Sequence, residues 1–161
     1  MTIFFLLLNI SFALFIFFLT LAFITGAPFV RSNKKAVNAM IRLAKIKPGM
    51  RVYDLGSGDG TLLLRAAQKG ATAIGFEINP FLVLLSRLRR LRVYWKNFWH
   101  ADLSKADVIF VYLLPWRMKS LEKLLLTKCK PGTLVVSNSF IFPSLKYLET
   151  DKEAHIYSFR V

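Results

Sequence analysis

The sequence predicts an α/β fold with a doubly wound, mostly parallel sheet that has helices on both faces and follows a single transmembrane helix. After a leading apolar segment, short apolar runs alternate with amphipathic segments of helical period. This alternation is typical of parallel strands connected by crossover helices. One run, Val108 to Leu114, is almost continuously apolar, which indicates a strand inside a sheet covered on both faces.

The leading segment predicts a membrane anchor at residues 1–25. Thr2 to Thr25 contains 24 residues without a charge, most of them Phe, Leu and Ile. A helix of that length is about 36 Å long and can cross a hydrocarbon core of about 30 Å. A cleaved signal peptide, the alternative, would have a basic start and a shorter apolar core. The cations that begin at Arg31 predict a single-pass protein with its domain on the cytoplasmic, or organelle-interior, side.

Residues 26–33 are predicted to form a linker, and residues 34–161 one soluble domain whose size suits a single hydrophobic core. The domain is expected to begin with a helix over Lys34–Lys47, in which apolar residues recur at helical spacing. A serine or asparagine just before this helix can cap it. Pro48 and Gly49 are expected to end it.

The rest of the domain alternates between strands and helices. Apolar runs predict strands at Arg51–Leu55, Ala73–Glu77, Arg92–Trp95, Val108–Leu114 and Thr133–Ser137. Segments of helical period that end before Gly or Pro, or lead into the next strand, predict helices at Thr61–Lys69, Phe81–Leu91 and Arg117–Cys129. One or two closing strands are expected between Ser144 and Val161.

The charge balance indicates an anionic partner. The chain has 23 Lys and Arg against 9 Asp and Glu, a formal net charge of +14, which suits nucleic acid, a lipid headgroup surface or an acidic protein. Five of the cations lie in the segment Arg87–Lys96. Because the protein is predicted to be tethered to a bilayer, a membrane surface is favoured over nucleic acid for this segment. A solvated helix face is the alternative.

Disulfides and metal sites are not expected. Cys129 is the single cysteine of the sequence, so neither an intrachain disulfide nor a thiolate metal site can form. His100 and His155 have no ligand partners at metal-site spacing.

The stretch "VYDLGSGDG", Val52 to Gly60, is the strongest candidate for a ligand site. It lies at the carboxyl end of the first predicted strand, where sheets of this class bind ligands. A dinucleotide site would have the pattern G-x-G-x-x-G, but Thr61 stands where the last glycine belongs. Asp54 and Asp59 also flank the turn, which disfavours a pyrophosphate. A zwitterionic nucleoside with a sulfonium group suits these acids better.

These residues resemble a known family. "DLGSGDG" is similar to the first motif of class I S-adenosylmethionine-dependent methyltransferases, which have a Rossmann-like fold, and Glu77 in "GFEINP" matches the acid that ends their second strand. The stretches "GAPFV", "FEINP", "KNFW", "DLSKADVIFVYLLP" and "KPGTLVVS" extend the resemblance to the membrane-anchored protein-lysine methyltransferases. The mitochondrial members of that group modify the ADP/ATP carrier and the ring-forming c protein of ATP synthase.

The resemblance implies S-adenosyl-L-methionine as cofactor and S-adenosyl-L-homocysteine as product. It assigns the methionine part of the cofactor to Asp54, Gly56, Ser57 and Gly58. It also implies that Glu77 holds the ribose hydroxyls and that Asn97 and Phe98 lie at the adenine. Many class I enzymes have Asp at the position of Asn97. Asp102 is therefore an alternative adenine ligand, unless it only caps a turn.

Methyl transfer to an amine is an in-line displacement that needs no metal, so alignment can supply most of the rate enhancement. The resemblance places Tyr112 and Pro115 of "VYLLP" at the acceptor. Tyr112 would orient the amine by its hydroxyl or ring face, or else is a core aromatic. Pro28 and Phe29 of the linker would close over the site, or else form a stiff membrane exit.

The sequence thus predicts a membrane-anchored enzyme that transfers a methyl group to a lysine of a membrane-associated protein. Two alternatives remain open at this stage. One is a methyltransferase that acts on a lipid or another small membrane molecule. The other is a non-catalytic module that binds S-adenosylmethionine.

Overall fold

The computed structural model of the chain describes residues 2–25 and 33–161. Its helices are α1 (Thr2–Thr25), α2 (Lys34–Leu43), α3 (Thr61–Gln68), α4 (Pro80–Leu88) and α5 (Met118–Lys128). Its strands are β1 (Arg51–Leu55), β2 (Thr72–Glu77), β3 (Arg92–Trp95), β4 (Val108–Val111), β5 (Leu134–Asn138), β6 (Glu149–Asp151) and β7 (Ile156–Arg160). Two short 3-10 helices are present at Phe98–His100 and Pro115–Arg117.

The seven strands form one sheet in the order β3-β2-β1-β4-β5-β7-β6. The first five strands of this order are parallel to one another, and β7 is antiparallel to both of its neighbours. The predicted doubly wound α/β fold is therefore confirmed. The strand order reverses between β1 and β4, and ligands bind at the carboxyl ends of the strands at such a point.

The two faces of the sheet bury separate clusters, because successive strand residues point to opposite sides. On one face, α2 and α3 cover a cluster that includes Val52, Val108, Phe110, Val136 and Ile156. On the other face, α5 contributes Leu121 and Leu125 to a cluster with Tyr53, Ile109, Val111, Val135 and Phe159. Helices on both faces were predicted, and the strand β4 has no exposed residue.

Two boundaries differ from the prediction. The strand β4 ends at Val111, three residues before the predicted end at Leu114, since the last parallel pair with β1 joins Leu55 to Val111 and Pro115 begins a new 3-10 helix. A proline also biases the residue before it toward extended backbone. The helix α2 ends at Leu43, before the predicted Lys47, because the chain turns at Lys45, whose φ is 47°.

The helix α1 is long and apolar enough to cross a membrane. Its stretch Ile3–Thr20 has a mean hydropathy of 2.6, and none of these residues is buried against the rest of the protein. Residues 26–32, which include Pro28 and Phe29 of the predicted linker, lie outside the described residues. The division into an anchor at 1–25, a linker at 26–33 and a domain at 34–161 stays a prediction.

Candidate active site

The glycine turn after β1 folds back onto the end of β2. Gly56, Gly58 and Gly60 have φ angles of 83°, 55° and 77°, a left-handed backbone that costs other residues energy. The backbone N–H groups of Gly56 and Ser57 donate to the Phe76 carbonyl at 2.9 and 3.1 Å. The turn is thereby fixed at the carboxyl edge of the sheet, between the ends of β1 and β2.

Glu77, the last residue of β2, points its carboxylate at this turn. Oε2 accepts a hydrogen bond from the Gly58 N–H at 2.9 Å, and Oε1 accepts from the N–H groups of Ile78 and Asn79 at 2.8 Å each. A carboxylate has about four acceptor positions, so one remains, on Oε2. Three backbone donors therefore hold the buried carboxylate in one orientation before any ligand binds.

Asp54, one strand away, is buried in a cluster of acids. Burial raises the pKa of Asp54 to about 8, and the nearby charges of Glu77 and Asp59 raise it further in the same direction. Burial also raises the pKa of Glu77, although the backbone donors from Asn79, Gly58 and Ile78 oppose that shift. The cluster holds negative charge at an energetic cost, which a bound cation would relieve.

Ser57 contributes to the turn from beneath. A Cβ added to Gly75 on β2 would lie 2.5 Å from Ser57 Oγ and 2.6 Å from Leu63 Cδ1, so the serine hydroxyl faces the interior between β2 and α3. This Oγ is buried without a hydrogen-bond partner among the described residues. The predicted contact between Ser57 and the cofactor stays a prediction, and in this arrangement only the backbone of Ser57 could make it.

The residues predicted for adenine lie beside Glu77. A cleft with about 240 Å³ of empty space is lined by Gly56, Phe76, Glu77, Ile78, Lys96, Asn97 and Phe98. Asn97 Oδ1 accepts from the Trp99 N–H at 3.1 Å, which caps the short 3-10 helix and leaves the amide NH2 group of Asn97 as a donor. The ring of Phe98 is buried in the core. The carboxylate of Asp102 accepts from the Ser104 N–H at 3.0 Å, as the turn-capping alternative predicted.

The acceptor side of the site is formed by the chain that leaves β4. Tyr112 is half-buried and directly follows the last residue of β4, which pairs with the end of β1. It therefore lies at the same edge as the glycine turn. Pro115 is exposed and opens the 3-10 helix that leads into α5. The catalytic roles of Tyr112 and Pro115 stay predictions.

Sequence reasoning missed a set of contacts that hold the glycine turn against α4. Ser86 Oγ donates to the Gly58 carbonyl at 3.2 Å, and Arg89 donates to the Asp59 carbonyl at 2.9 Å. The Asp59 carboxylate accepts from the N–H and hydroxyl of Thr61 at 3.1 and 2.7 Å. The one available signal is Ser86, a small polar residue inside an otherwise apolar helix. The sequence pattern places Arg89 only in the basic segment.

The comparisons with known proteins agree with this geometry. The family described as "ANTKMT methyltransferase domain" matches residues 54–149. The human lysine N-methyltransferase named for the c protein of ATP synthase is 33% identical over 124 residues, which are 72% of this chain and 53% of the human protein. A protein-lysine N-methyltransferase of Saccharolobus islandicus is 32% identical over 130 residues, which are 74% of this chain and 81% of that protein.

A solved structure extends the likeness to the fold. It is described as an RNA methyltransferase from Salinibacter ruber in complex with S-adenosyl-L-homocysteine, and it matches with a TM-score of 0.75 at 33% identity. The match covers 81% of this chain and 92% of that chain.

The chain spans about half the length of the vertebrate relatives that it matches. The matched region nevertheless contains the glycine turn, Glu77, Asn97 and Tyr112, together with β2, β3, β4 and β5. Because this match covers more than half of the chain, the protein belongs to the ANTKMT methyltransferase-domain family.

Proposed function

We propose that this protein is an S-adenosylmethionine-dependent protein-lysine N-methyltransferase that acts on a membrane-associated protein. The observation that carries the proposal is the pairing of Glu77 with the glycine turn at the carboxyl edge, in a chain whose relatives are named protein-lysine N-methyltransferases. The apolar helix α1 supports the membrane part of the proposal, because it is long enough to cross a bilayer.

The residues of the site fit S-adenosylmethionine. Its ammonium and sulfonium groups are cations, and a cation beside Asp54 would favour the ionised carboxylate that burial now opposes. Glu77 Oε2 keeps an acceptor position for a ribose hydroxyl, and the Asn97 amide can donate to the adenine edge. When bound, the cofactor supplies an electrophilic methyl group on sulfur.

The chain's own part in the transfer is to position the amine and to remove water. A free lysine has a pKa of about 10.4 and has to lose its proton before it can attack. The half-buried Tyr112 and the carbonyl groups of Leu113 and Leu114 are the groups that would orient it at this edge. We expect Tyr112→Phe to lower kcat without changing the affinity for S-adenosylhomocysteine, as measured by single-turnover kinetics and calorimetry.

Transfer of a radiolabelled methyl group into membrane fractions tests the activity. We expect label in a protein band that protease removes, and the amino acid that carries it is expected to be methyllysine. Glu77→Gln is the matched inactive control. Label in extractable lipid would show a small membrane acceptor instead. Cofactor binding without any transfer would show a non-catalytic module.

RNA is a second candidate acceptor. Two observations favour it: the Salinibacter ruber structure described as an RNA methyltransferase and the formal net charge of +14. Binding to RNA phosphates would weaken steeply with salt. In the same assay, label that nuclease removes and protease leaves would replace the lysine proposal by this one.

A further inference from the structure

The outer face of α4 is apolar and exposed. Phe81, Leu84, Leu85 and Leu88 recur at i, i+3, i+4 and i+7, and their exposed fractions are 67, 58, 39 and 74%. The residues that α4 buries are Val83 and Ser86. A surface helix normally turns its apolar stripe inward, whereas this helix presents a second apolar stripe to the outside. Contiguous exposed apolar surface of this kind marks an interaction site.

Basic residues surround this stripe. From Pro80 to Lys96 the sequence has five cations and no acid. Arg90, Arg92 and Lys96 are exposed, and Arg87 and Arg89 are held beside the helix by hydrogen bonds to the backbone carbonyls of Val93 and Asp59. An apolar helix face with basic flanks is the pattern of helices that lie in the plane of a membrane surface.

The stripe adjoins the candidate active site. The helix α4 contacts the glycine turn through Ser86 and Arg89. Outside α1, the Phe and Trp residues that the structure describes as exposed are Phe81, Trp95 and Trp116, at 67, 64 and 62%. Phe81 and Trp116 follow the carboxyl ends of β2 and β4, and Trp95 is the last residue of β3. Trp side chains are enriched at membrane–water interfaces.

The connection to α1 leaves from the same edge of the sheet. Three ion pairs align α2 with the β6–β7 hairpin, and they join Lys35 to Glu153, Arg42 to Asp151 and Lys45 to Glu149. Because β6 runs parallel to β1, this order makes α2 antiparallel to the parallel strands. The first turn of α2 therefore lies at the carboxyl edge. From Thr25 to Asn33 the chain can span at most about 29 Å.

We propose that the stripe of α4, together with Trp95 and the flanking cations, docks in the plane of an anionic lipid bilayer and turns the cofactor cleft toward the headgroups. The inference rests on the proposed function, because it explains how a membrane-embedded lysine would reach the site. A lipid surface is favoured over a protein partner because the patch combines an uninterrupted apolar stripe with cations alone, and because the tether starts at the same edge.

Spin labels on the full-length chain test the docking. Leu88→Cys and Leu126→Cys, each combined with Cys129→Ser, place a label on α4 or on the exposed side of α5, where Leu126 is 53% exposed. In vesicles of phosphatidylcholine and phosphatidylserine, we expect the label at 88 to collide with oxygen in preference to a water-soluble nickel complex. The label at 126 should show the reverse, and vesicles of phosphatidylcholine alone should weaken the contrast.

Equal access of the nickel complex to both labels in the anionic vesicles would overturn the proposal. A label at 88 that is shielded only after a membrane protein substrate is added would assign the stripe to protein docking instead. Circular dichroism melting curves check that each variant is folded. This readout needs no catalysis, so failure of the docking is distinguishable from failure of the proposed activity.

A second test uses activity. We expect the double variant Leu84→Glu, Leu88→Glu to slow methylation of a membrane-embedded substrate about tenfold, because two charges replace the inserted side chains. Its affinity for S-adenosylhomocysteine should not change. Leu126→Glu is the matched control and should behave like the unmodified chain. Full retained activity of the double variant on native membranes would contradict the docking.

Discussion

At the residue scale, the carboxyl group of Asp54 couples the ligand to pH. An Asp in an unfolded chain has a pKa of about 3.9, and burial raises the pKa of Asp54 in the folded protein to about 8. The folded state therefore binds this proton more tightly than the unfolded chain does. The stability that this group contributes is fully present below about pH 4 and is lost as the pH rises toward about 8.

The same shift predicts proton release when the cofactor binds. At pH 7 most of the unliganded Asp54 is protonated, and a cation beside it lowers its pKa. We expect release of up to about one proton per S-adenosylmethionine bound, and an affinity that rises with pH up to about 8. Calorimetry in buffers of different ionisation enthalpy measures this release. Asp54→Asn should abolish it, and a buffer-independent enthalpy for the unmodified chain would contradict the assignment.

Glu77 and Glu122 form a matched pair of buried carboxylates. Glu77 accepts backbone N–H groups at the cleft, whereas Glu122 on α5 accepts those of Ser144 and Leu145 at 3.0 and 2.8 Å, outside the cleft. We expect Glu77→Gln to weaken S-adenosylhomocysteine binding by about 1.5–3 kcal/mol, or about 10- to 150-fold, because a hydrogen bond to a charged acceptor is lost.

Glu122→Gln should lower the free energy of unfolding by a similar amount, because it also loses bonds between backbone donors and a charged acceptor. Its affinity for S-adenosylhomocysteine should stay unchanged. Calorimetry and urea unfolding separate the two effects. Equal loss of affinity in both variants would mean that Glu77 acts only through the fold.

At the element scale, the close contact between the glycine turn and α4 makes Gly60 more demanding than other glycines with positive φ. A Cβ at Gly60, whose φ is 77°, would lie 2.4 Å from Leu91 Cδ1 and 3.1 Å from Ser86 Oγ. At Gly132, whose φ is 89°, a Cβ would meet nothing within 4 Å. Both positions share the backbone requirement, and only Gly60 adds a steric one.

We expect Gly132→Ala to lower the free energy of unfolding by about 1–2 kcal/mol, the cost of a left-handed backbone for a residue with a Cβ. Gly60→Ala should lose about 1–3 kcal/mol more, because the crowded contact with Leu91 has to move. Urea unfolding measures both changes. Only Gly60→Ala should also weaken cofactor binding, and equal destabilisation of the two variants would show that α4 yields without cost.

At the scale of the whole molecule, the function proposed for α1 is to hold the domain at the membrane, where the effective concentration of substrate is high. We expect deletion of residues 1–25 to lower methylation of a membrane-embedded substrate by about tenfold or more, with cofactor affinity unchanged. Replacing α1 by an unrelated apolar helix of equal length should restore the rate, as measured by label transfer in native membranes.

The replacement is informative because α1 carries no charge and none of the residues from Ile3 to Thr20 is buried against the domain. Its length and hydropathy, rather than its particular side chains, are then what anchoring requires. Loss of activity with the replacement helix would contradict this view. It would indicate that α1 recognises the substrate itself.

The elements of the fold could be predicted because their signals are local. The strands β1, β2 and β3 begin or end within one residue of the predicted bounds, since apolar runs bounded by turn residues identify them. The end of β4 could not be predicted in the same way. Tyr112 to Leu114 are as apolar as the strand before them, and only the missing partner beyond Leu55 on β1 ends the pairing.

The sequence by itself determined the order of the elements, the glycine turn, the acid at the end of β2 and the apolar leading helix, because each depends on residue type and spacing along the chain. The tertiary structure decided what surrounds those residues. It buries Asp54 among other acids, turns Ser57 beneath the loop, ties Arg89 to Asp59 and leaves the apolar stripe of α4 uncovered. Burial and charge environment depend on contacts between distant segments, and a local pattern carries no record of those contacts.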